Sequence, residues 1–342
     1  MLMQQARALD LCSQGRGDVD KLCDSCANLP MTEEDINNIP RYDYVRYAIG
    51  TLSEILLTPQ CPVCRLLMKT HLNDPQHKKL EASRRTSDVV KIAWQGHRKG
   101  FTCPGLISLG TRLSFVRAED VSDFGQGRRI HSQQIDTELL AAWLRRCQQE
   151  HGSHCESGSR SFVDTTSSTS KLPSRLIDVR RRCIVEVESP TPYVTLSYVW
   201  GKVETLRSLK QNKNLLSKPF VLDSLKAEIP RTILDAMELV TRLGFPYLWV
   251  DALCIVQDDD KESAREIQHM DRIYQNSLFT IIAAHGVDAN AGLPGVRPKS
   301  RQIHQIFEQL GASTSLVALY ELDDLLTTSA YSTRGWTYVH AS

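Results

Sequence analysis

From Tyr193 to Ala284 the chain alternates apolar runs with amphipathic, capped segments, and this rhythm constrains its fold more than any other feature. Residues 193–199 read as a strand. Pro230 opens a helix at a position that suits its missing N–H, with Ile233, Met237 and Val240 as the apolar stripe, and Gly244 with Pro246 ends it. Residues 247–256 form a nearly continuous apolar strand interrupted by Asp251. Asp259 and Glu262 then cap a second helix whose stripe runs Ala264, Ile267, Met270, Tyr274. Residues 278–284 are a third buried strand. Such alternation predicts an α/β fold: a mostly parallel, Rossmann-like sheet with right-handed crossovers and flanking helices. Ligands of these sheets bind beyond the carboxyl ends of the strands, so Trp200-Gly201 and Gln257-Asp258 are expected to share one rim.

The first half reads differently. Segments 89–94 and 106–116 mix apolar and polar residues at strand-like spacing, and 136–149 is a helix with Leu139, Leu140, Trp143 and Leu144 on one face. Residues 157–174, rich in Ser and Thr, read as a linker. The expected division is therefore a Cys-containing α+β region over 1–156, the linker over 157–174, and an α/β domain over 175–342. Residues 297–328 are the least readable part, with 316–320 as a strand.

Basic and acidic residues number 41 and 40, so no basic field exists to hold a nucleic acid. The N-terminus lacks an apolar signal core and no apolar run is long enough to span a bilayer. Ten cysteines without an export signal point to a reducing compartment, the cytoplasm, and to thiols or metal ligands rather than disulfides. Cys23/Cys26 and Cys61/Cys64 are two Cys-x-x-Cys pairs with 34 residues between them. Each pair can give two thiolates to a tetrahedral zinc ion, although the separation exceeds that of a compact zinc ribbon; reduced thiols beside helix starts are the plainer reading. Cys147, His151 and Cys155 recur every four residues, as metal ligands or, more plainly, as a helix end packed on the core.

Asp251 inside an apolar strand is either a site carboxylate at the sheet rim or an acceptor for backbone N–H groups of a neighbouring loop. Cys254 reads as an inert core thiol. Glu266 falls on the margin of its helix's apolar face, where partial desolvation suits acid–base or oxocarbenium-stabilising work; the plainer alternative is a solvated carboxylate paired with Arg265 or Lys261. Arg334, beside Gly335 and Trp336, can clamp a phosphate, stack on a base, or bridge a carboxylate such as Asp251. No P-loop, Gly-x-Ser-x-Gly elbow or His-Glu-x-x-His occurs.

The ordered set Leu196-Ser-Tyr-Val-Trp-Gly201, Ile229-Pro-Arg-Thr-Ile-Leu-Asp-Ala236, Leu243-Gly244, Tyr247-Leu-Trp-Val-Asp-Ala-Leu-Cys-Ile-Val-Gln-Asp258, Thr280-Ile-Ile-Ala-Ala284, Gly292-Leu293 and Arg334-Gly-Trp336 resembles the fungal heterokaryon incompatibility (HET) domain family. The resemblance covers roughly 193–338, and the cysteine pairs together with the segment from Trp143 to Cys155 resemble what precedes the domain in family proteins. It implies an effector of fungal nonself recognition that triggers programmed cell death, and a remote TIR-like relation that makes NAD a candidate substrate. Under that reading Glu266 and Asp251 are the catalytic candidates, and Trp200, Gly201, Gln257, Arg334 and Trp336 line a nucleotide or ligand rim. The family follows Arg-Gly-Trp-Thr with an aromatic residue and then Gln-Glu, whereas this chain has Tyr338-Val339-His340. The alternatives are thus a truncated, inactive relative, or a non-enzymatic module that self-associates or binds a protein regulator.

Overall fold

A computed structural model describes residues 21–31, 34, 38–39, 44–73, 88–95, 100–103, 106–107, 111–117, 128–130, 133–151, 173–187, 191–301, 305–311, 314–320, 326–327 and 329–333. The chain forms two compact units, Met1–Ile130 with Ile303–Leu325, and His131–Gln302 with Leu326–Ser342.

The first unit opens with α1 (Asp24–Ala27), β1 (Tyr44–Thr51), α2 (Leu52–Leu56), α3 (Pro62–Asn73), β2 (Val89–Gln95), β3 (Gly100–Thr102) and β4 (Thr111–Arg117). Thr51 and Glu54 form a reciprocal capping box at the start of α2: the Thr51 hydroxyl accepts from the Glu54 N–H, and the Thr51 N–H donates to Oε2 of Glu54 at 2.7 Å. Nine of the twelve residues of α3 are buried. Trp94, Phe101 and Phe115 meet edge-on or tilted beneath the strands, with Trp94 and Phe101 centroids 4.8 Å apart.

The second unit contributes α4 (Thr137–His151), β5 (Arg175–Asp178), β6 (Cys183–Glu186), β7 (Val194–Tyr198), α5 (Lys213–Leu216), α6 (Val221–Ser224), α7 (Arg231–Arg242), β8 (Tyr247–Trp249), α8 (Asp251–Cys254), α9 (Asp260–Gln268), α10 (Met270–Gln275) and β9 (Thr280–Ala283). The chain then returns to the first unit for β10 (Phe307–Gln309) and β11 (Thr314–Tyr320).

The expectation of a mostly parallel sheet with flanking helices, Rossmann-like or TIR-like, is corrected by the strand pairing. Among the described residues of the first unit, six strands pair antiparallel in the order β1-β2-β3-β4-β11-β10. The second unit's sheet is mixed, in the order β6-β5-β8-β7-β9. Among the described residues, the β8–β7 and β7–β9 pairs are parallel, and β5 runs antiparallel to both β6 and β8. The physical cause is a hairpin upstream of the readable rhythm. Asp178 turns it, its Oδ1 accepting the N–H groups of Arg180 and Arg181 at 3.0 and 2.8 Å, and it adds two antiparallel strands to the edge of the parallel set.

Two further differences are local. The apolar run 247–256 is a three-residue strand followed by the short helix α8, whose residues Ala252, Leu253 and Cys254 are buried and so mimic a strand in sequence. The stripe expected across 264–274 breaks at His269 into α9 and α10, leaving Ile267 exposed while Ile273 is buried.

Helix α7 follows its sequence signals. Ile233, Met237 and Val240 lie in the core. Its end is a Schellman turn: Phe245 N–H donates to the Val240 carbonyl at 3.1 Å, Gly244 N–H to Thr241 at 3.0 Å, and Gly244 sits at φ +86°. Apart from its chain neighbours, no atom of the described residues lies within 4 Å of where a Gly244 Cβ would stand, so Gly244→Ala isolates the backbone cost. It is expected to lower stability by about 1 kcal/mol in urea melts, with the slope unchanged.

Candidate functional site

Cysteine 23 precedes α1 and Cys26 lies within it; Cys61 stands just before Pro62, the first residue of α3, and Cys64 lies in that helix's first turn. Folding brings all four sulfurs within 4.8 Å of one another, with Cys26 and Cys64 at 3.7 Å and Cys23 and Cys64 at 3.8 Å. Cys26, Cys61 and Cys64 are buried, and Cys23 is the partly exposed corner. These separations are far too long for S–S bonds, and no disulfide joins them. The Cys26–Cys64 and Cys23–Cys64 separations match the edge of about 3.8 Å that four thiolates about 2.3 Å from one zinc ion require, and the set as a whole is close to that size. The cluster can therefore hold a metal ion. The thiols also bias one another: hydrogen bonds with Cys26 and Cys64 pull the Cys61 thiol below its ordinary pKa, whereas hydrogen bonds with Cys61 and Cys64, then burial, push Cys26 above it. Of the other cysteine motif, Cys147 is partly buried on α4, which ends at His151; Cys155 lies outside the described residues.

In the second unit the ends of β7 and β8 form a hydrogen-bonded rim. Trp200 Nε1 donates to Oδ2 of Asp251 at 2.9 Å, and Ala252 N–H donates to Oδ1 at 2.7 Å. The Gln257 side-chain amide donates to the backbone carbonyls of Asp251 and Ile255 at 2.9 and 3.1 Å. Ser208 fastens the outer loop, donating its N–H to Ala252 and accepting that of Gln257. The guanidinium of Arg207 stands 5.2 Å from the Trp200 ring centroid. Gly201, at φ +67°, turns the chain so close to its neighbour that a Cβ would stand 2.3 Å from that of Asp288. The structure thus brings together Trp200, Gly201, Asp251 and Gln257. Arg334 and Trp336 lie outside the described residues.

Glu266 lies elsewhere, fully buried on α9. Its Oε1 accepts from the N–H and hydroxyl of Ser174 at 3.1 and 2.5 Å and lies 3.5 Å from Arg265, while Oε2 is buried with no hydrogen-bond partner among the described residues. Beside it, the buried Arg175 pairs with Glu262 and donates to the Cys254 carbonyl at 3.1 Å. Glu266 thereby fastens the entry to β5. The Cys254 thiol is buried and pushed up to about 12 by that burial, a poor nucleophile.

Three polar constellations escaped the sequence reading because their members are far apart in the chain. Asp235, buried on α7, accepts from Leu293 N–H and Arg297 Nε, both at 2.9 Å. Ser197 of β7 and Tyr331 share a hydroxyl–hydroxyl hydrogen bond of 2.7 Å. In the first unit, Arg65 and Lys69 of α3 both pair with buried Glu308 of β10. An acid in an amphipathic helix's apolar stripe, as Asp235 is between Ile233 and Ala236, was the one available signal.

Among the described residues no helix is long and apolar enough to cross a membrane. Residues 193–339 match the family model described as Heterokaryon incompatibility protein (HET). No curated protein and no solved structure gave a significant match.

Proposed function

We propose that this chain, whose residues 193–339 belong to the heterokaryon incompatibility (HET) family, is a cytoplasmic effector of fungal nonself recognition that drives programmed cell death. The family match carries the reading. The rim built from Trp200, Gly201, Asp251 and Gln257 lies inside the matched segment and supports it.

Within that role, the geometry favours a surface that meets a protein regulator or a second copy over a pocket that cleaves NAD. Cleavage at a ribose needs a carboxylate that reaches the sugar. Glu266 is enclosed by Ser174 and Arg265, and both carboxylate oxygens of Asp251 hold protein donors. The mixed sheet also removes the TIR-like fold from which NAD hydrolysis was inferred.

Inducible expression in a fungal host is expected to arrest growth and admit a membrane-impermeant dye. Trp200→Ala, at equal abundance, is expected to weaken both effects. Normal growth with abundant wild-type protein overturns the effector reading. Incubation with NAD is expected to release no nicotinamide above the buffer rate; steady turnover restores the enzymatic alternative.

In the first unit the metal is zinc, held structurally by Cys23, Cys26, Cys61 and Cys64. Four protein thiolates complete a tetrahedron and leave no open position for chemistry. Such a site suits the reducing cytoplasm.

A further inference from the structure

Zinc held by four thiolates has no open coordination position, so a reagent that reaches the centre must begin at sulfur rather than at the metal. Burial decides which sulfur. Cys26 and Cys61 are 0% exposed and Cys64 is 1% exposed, whereas Cys23 is partly open to solvent. The Cys23 sulfur stands 3.8 Å from that of Cys64. These two residues differ in freedom. Cys64 sits in the first turn of α3, nine of whose twelve residues are buried. Cys23 precedes the four-residue α1 on extended backbone, at φ −70° and ψ 163°, and its side chain caps no N–H of that helix. Cys23 can therefore swing towards a fixed Cys64, and a disulfide needs their sulfurs to close from 3.8 Å to about 2.05 Å.

We propose that Cys23 is a modification site, the sulfur at which a hydroperoxide oxidises the four-cysteine centre, with Cys64 completing a disulfide that expels the metal. The inference rests on the zinc reading. Zinc-bound sulfur is a thiolate and stays nucleophilic. The Cys23 thiolate attacks one peroxide oxygen: the S–O bond forms, the O–O bond breaks and hydroxide leaves, giving the sulfenic acid. The Cys64 thiolate then attacks the Cys23 sulfur: the S–S bond forms, the S–O bond breaks and a second hydroxide leaves. Two thiolates are thereby oxidised by two electrons in all, and the peroxide is reduced to two hydroxides. Only Cys26 and Cys61 remain as ligands, half of a tetrahedral set, and the metal dissociates. The disulfide takes over the tie between α1 and α3, and thiol reductants reverse it.

The test treats the zinc-loaded full chain, freed of reductant, with hydrogen peroxide. A chromogenic chelator reads the released zinc, and non-reducing peptide mass mapping reads the disulfides. Zinc is expected to leave as a Cys23–Cys64 disulfide forms, and dithiothreitol with added zinc is expected to restore the loaded form. Cys23→His puts a nitrogen ligand in place of the exposed thiolate, and three cysteines with one histidine make an ordinary zinc set. This variant is expected to retain zinc and to release it in peroxide about tenfold more slowly than the wild type. A reduced wild type that binds no zinc overturns the metal reading and this inference with it. Zinc retained under peroxide, or a cluster disulfide other than Cys23–Cys64, overturns this inference alone, and both are read on the wild type. Equal release rates from zinc-loaded wild type and Cys23→His overturn it as well.

Discussion

Cys64→Ser is expected to abolish zinc retention and to lower the stability of the first unit by roughly 3 kcal/mol or more. The thiol of Cys64 is the hub of the cluster, in contact with those of both Cys23 and Cys26. A hydroxyl there is a poor zinc ligand, and it leaves three thiols, two of them buried, without the cation that draws them together. Structural zinc sites in small domains bind with on the order of 10 kcal/mol, but this unit also has an aromatic core, so only part of that is expected to appear as lost stability. Metal analysis should give one zinc per wild-type chain and none in Cys64→Ser, with near-ultraviolet dichroism reporting the loosened Trp94–Phe101–Phe115 packing. A metal-free wild type whose urea melt is indifferent to added zinc would falsify the assignment.

The second large effect is expected from Asp235→Ala. This carboxylate is 2% exposed, and it fixes the loop after β9 to α7 through Leu293 N–H and Arg297. Gly292 packs so tightly there that a Cβ would stand 2.7 Å from Oδ2 of Asp235. Truncation leaves a buried N–H and a half-exposed guanidinium without their acceptor, a cost of about 2–4 kcal/mol. Asp235→Asn keeps an oxygen for Leu293 and loses the charge, so it is expected to cost about half as much. Urea midpoints of the two variants give the comparison. Equal midpoints for wild type and Asp235→Ala would show that the loop is held by other means.

The sequence revealed what is local. α7 was legible because its opening proline, its stripe and its glycine stop all lie within fifteen residues or so. Strands at 89–95, 194–198, 280–283 and 314–320 were legible from apolar or alternating runs. The hairpin β5–β6 was not, because its strands are four residues each and precede the rhythm that suggested parallel pairing. α8 was misread because a buried helix turn and a buried strand are both simply apolar.

At the candidate sites, the rim was partly legible: Trp200 and Asp251, fifty-one positions apart, meet because parallel strands end at the same edge. Glu266 was placed on a helix margin by a wheel that ran through His269, where the helix in fact breaks. Each cysteine pair was legible by its spacing as two possible metal ligands, with reduced thiols as the plainer reading. That the two pairs meet required the fold, since nothing local relates Cys26 to Cys64.

The return of the chain to the first unit also bears on the order of its synthesis. β11 pairs with β4, yet it leaves the ribosome about 200 residues later, roughly 10–40 s at ordinary elongation rates. Throughout that interval β4 is an unpaired edge over an incomplete apolar core, the kind of surface that invites wrong partners. The first unit's sheet can therefore be completed only after the strands of the second unit have been synthesised.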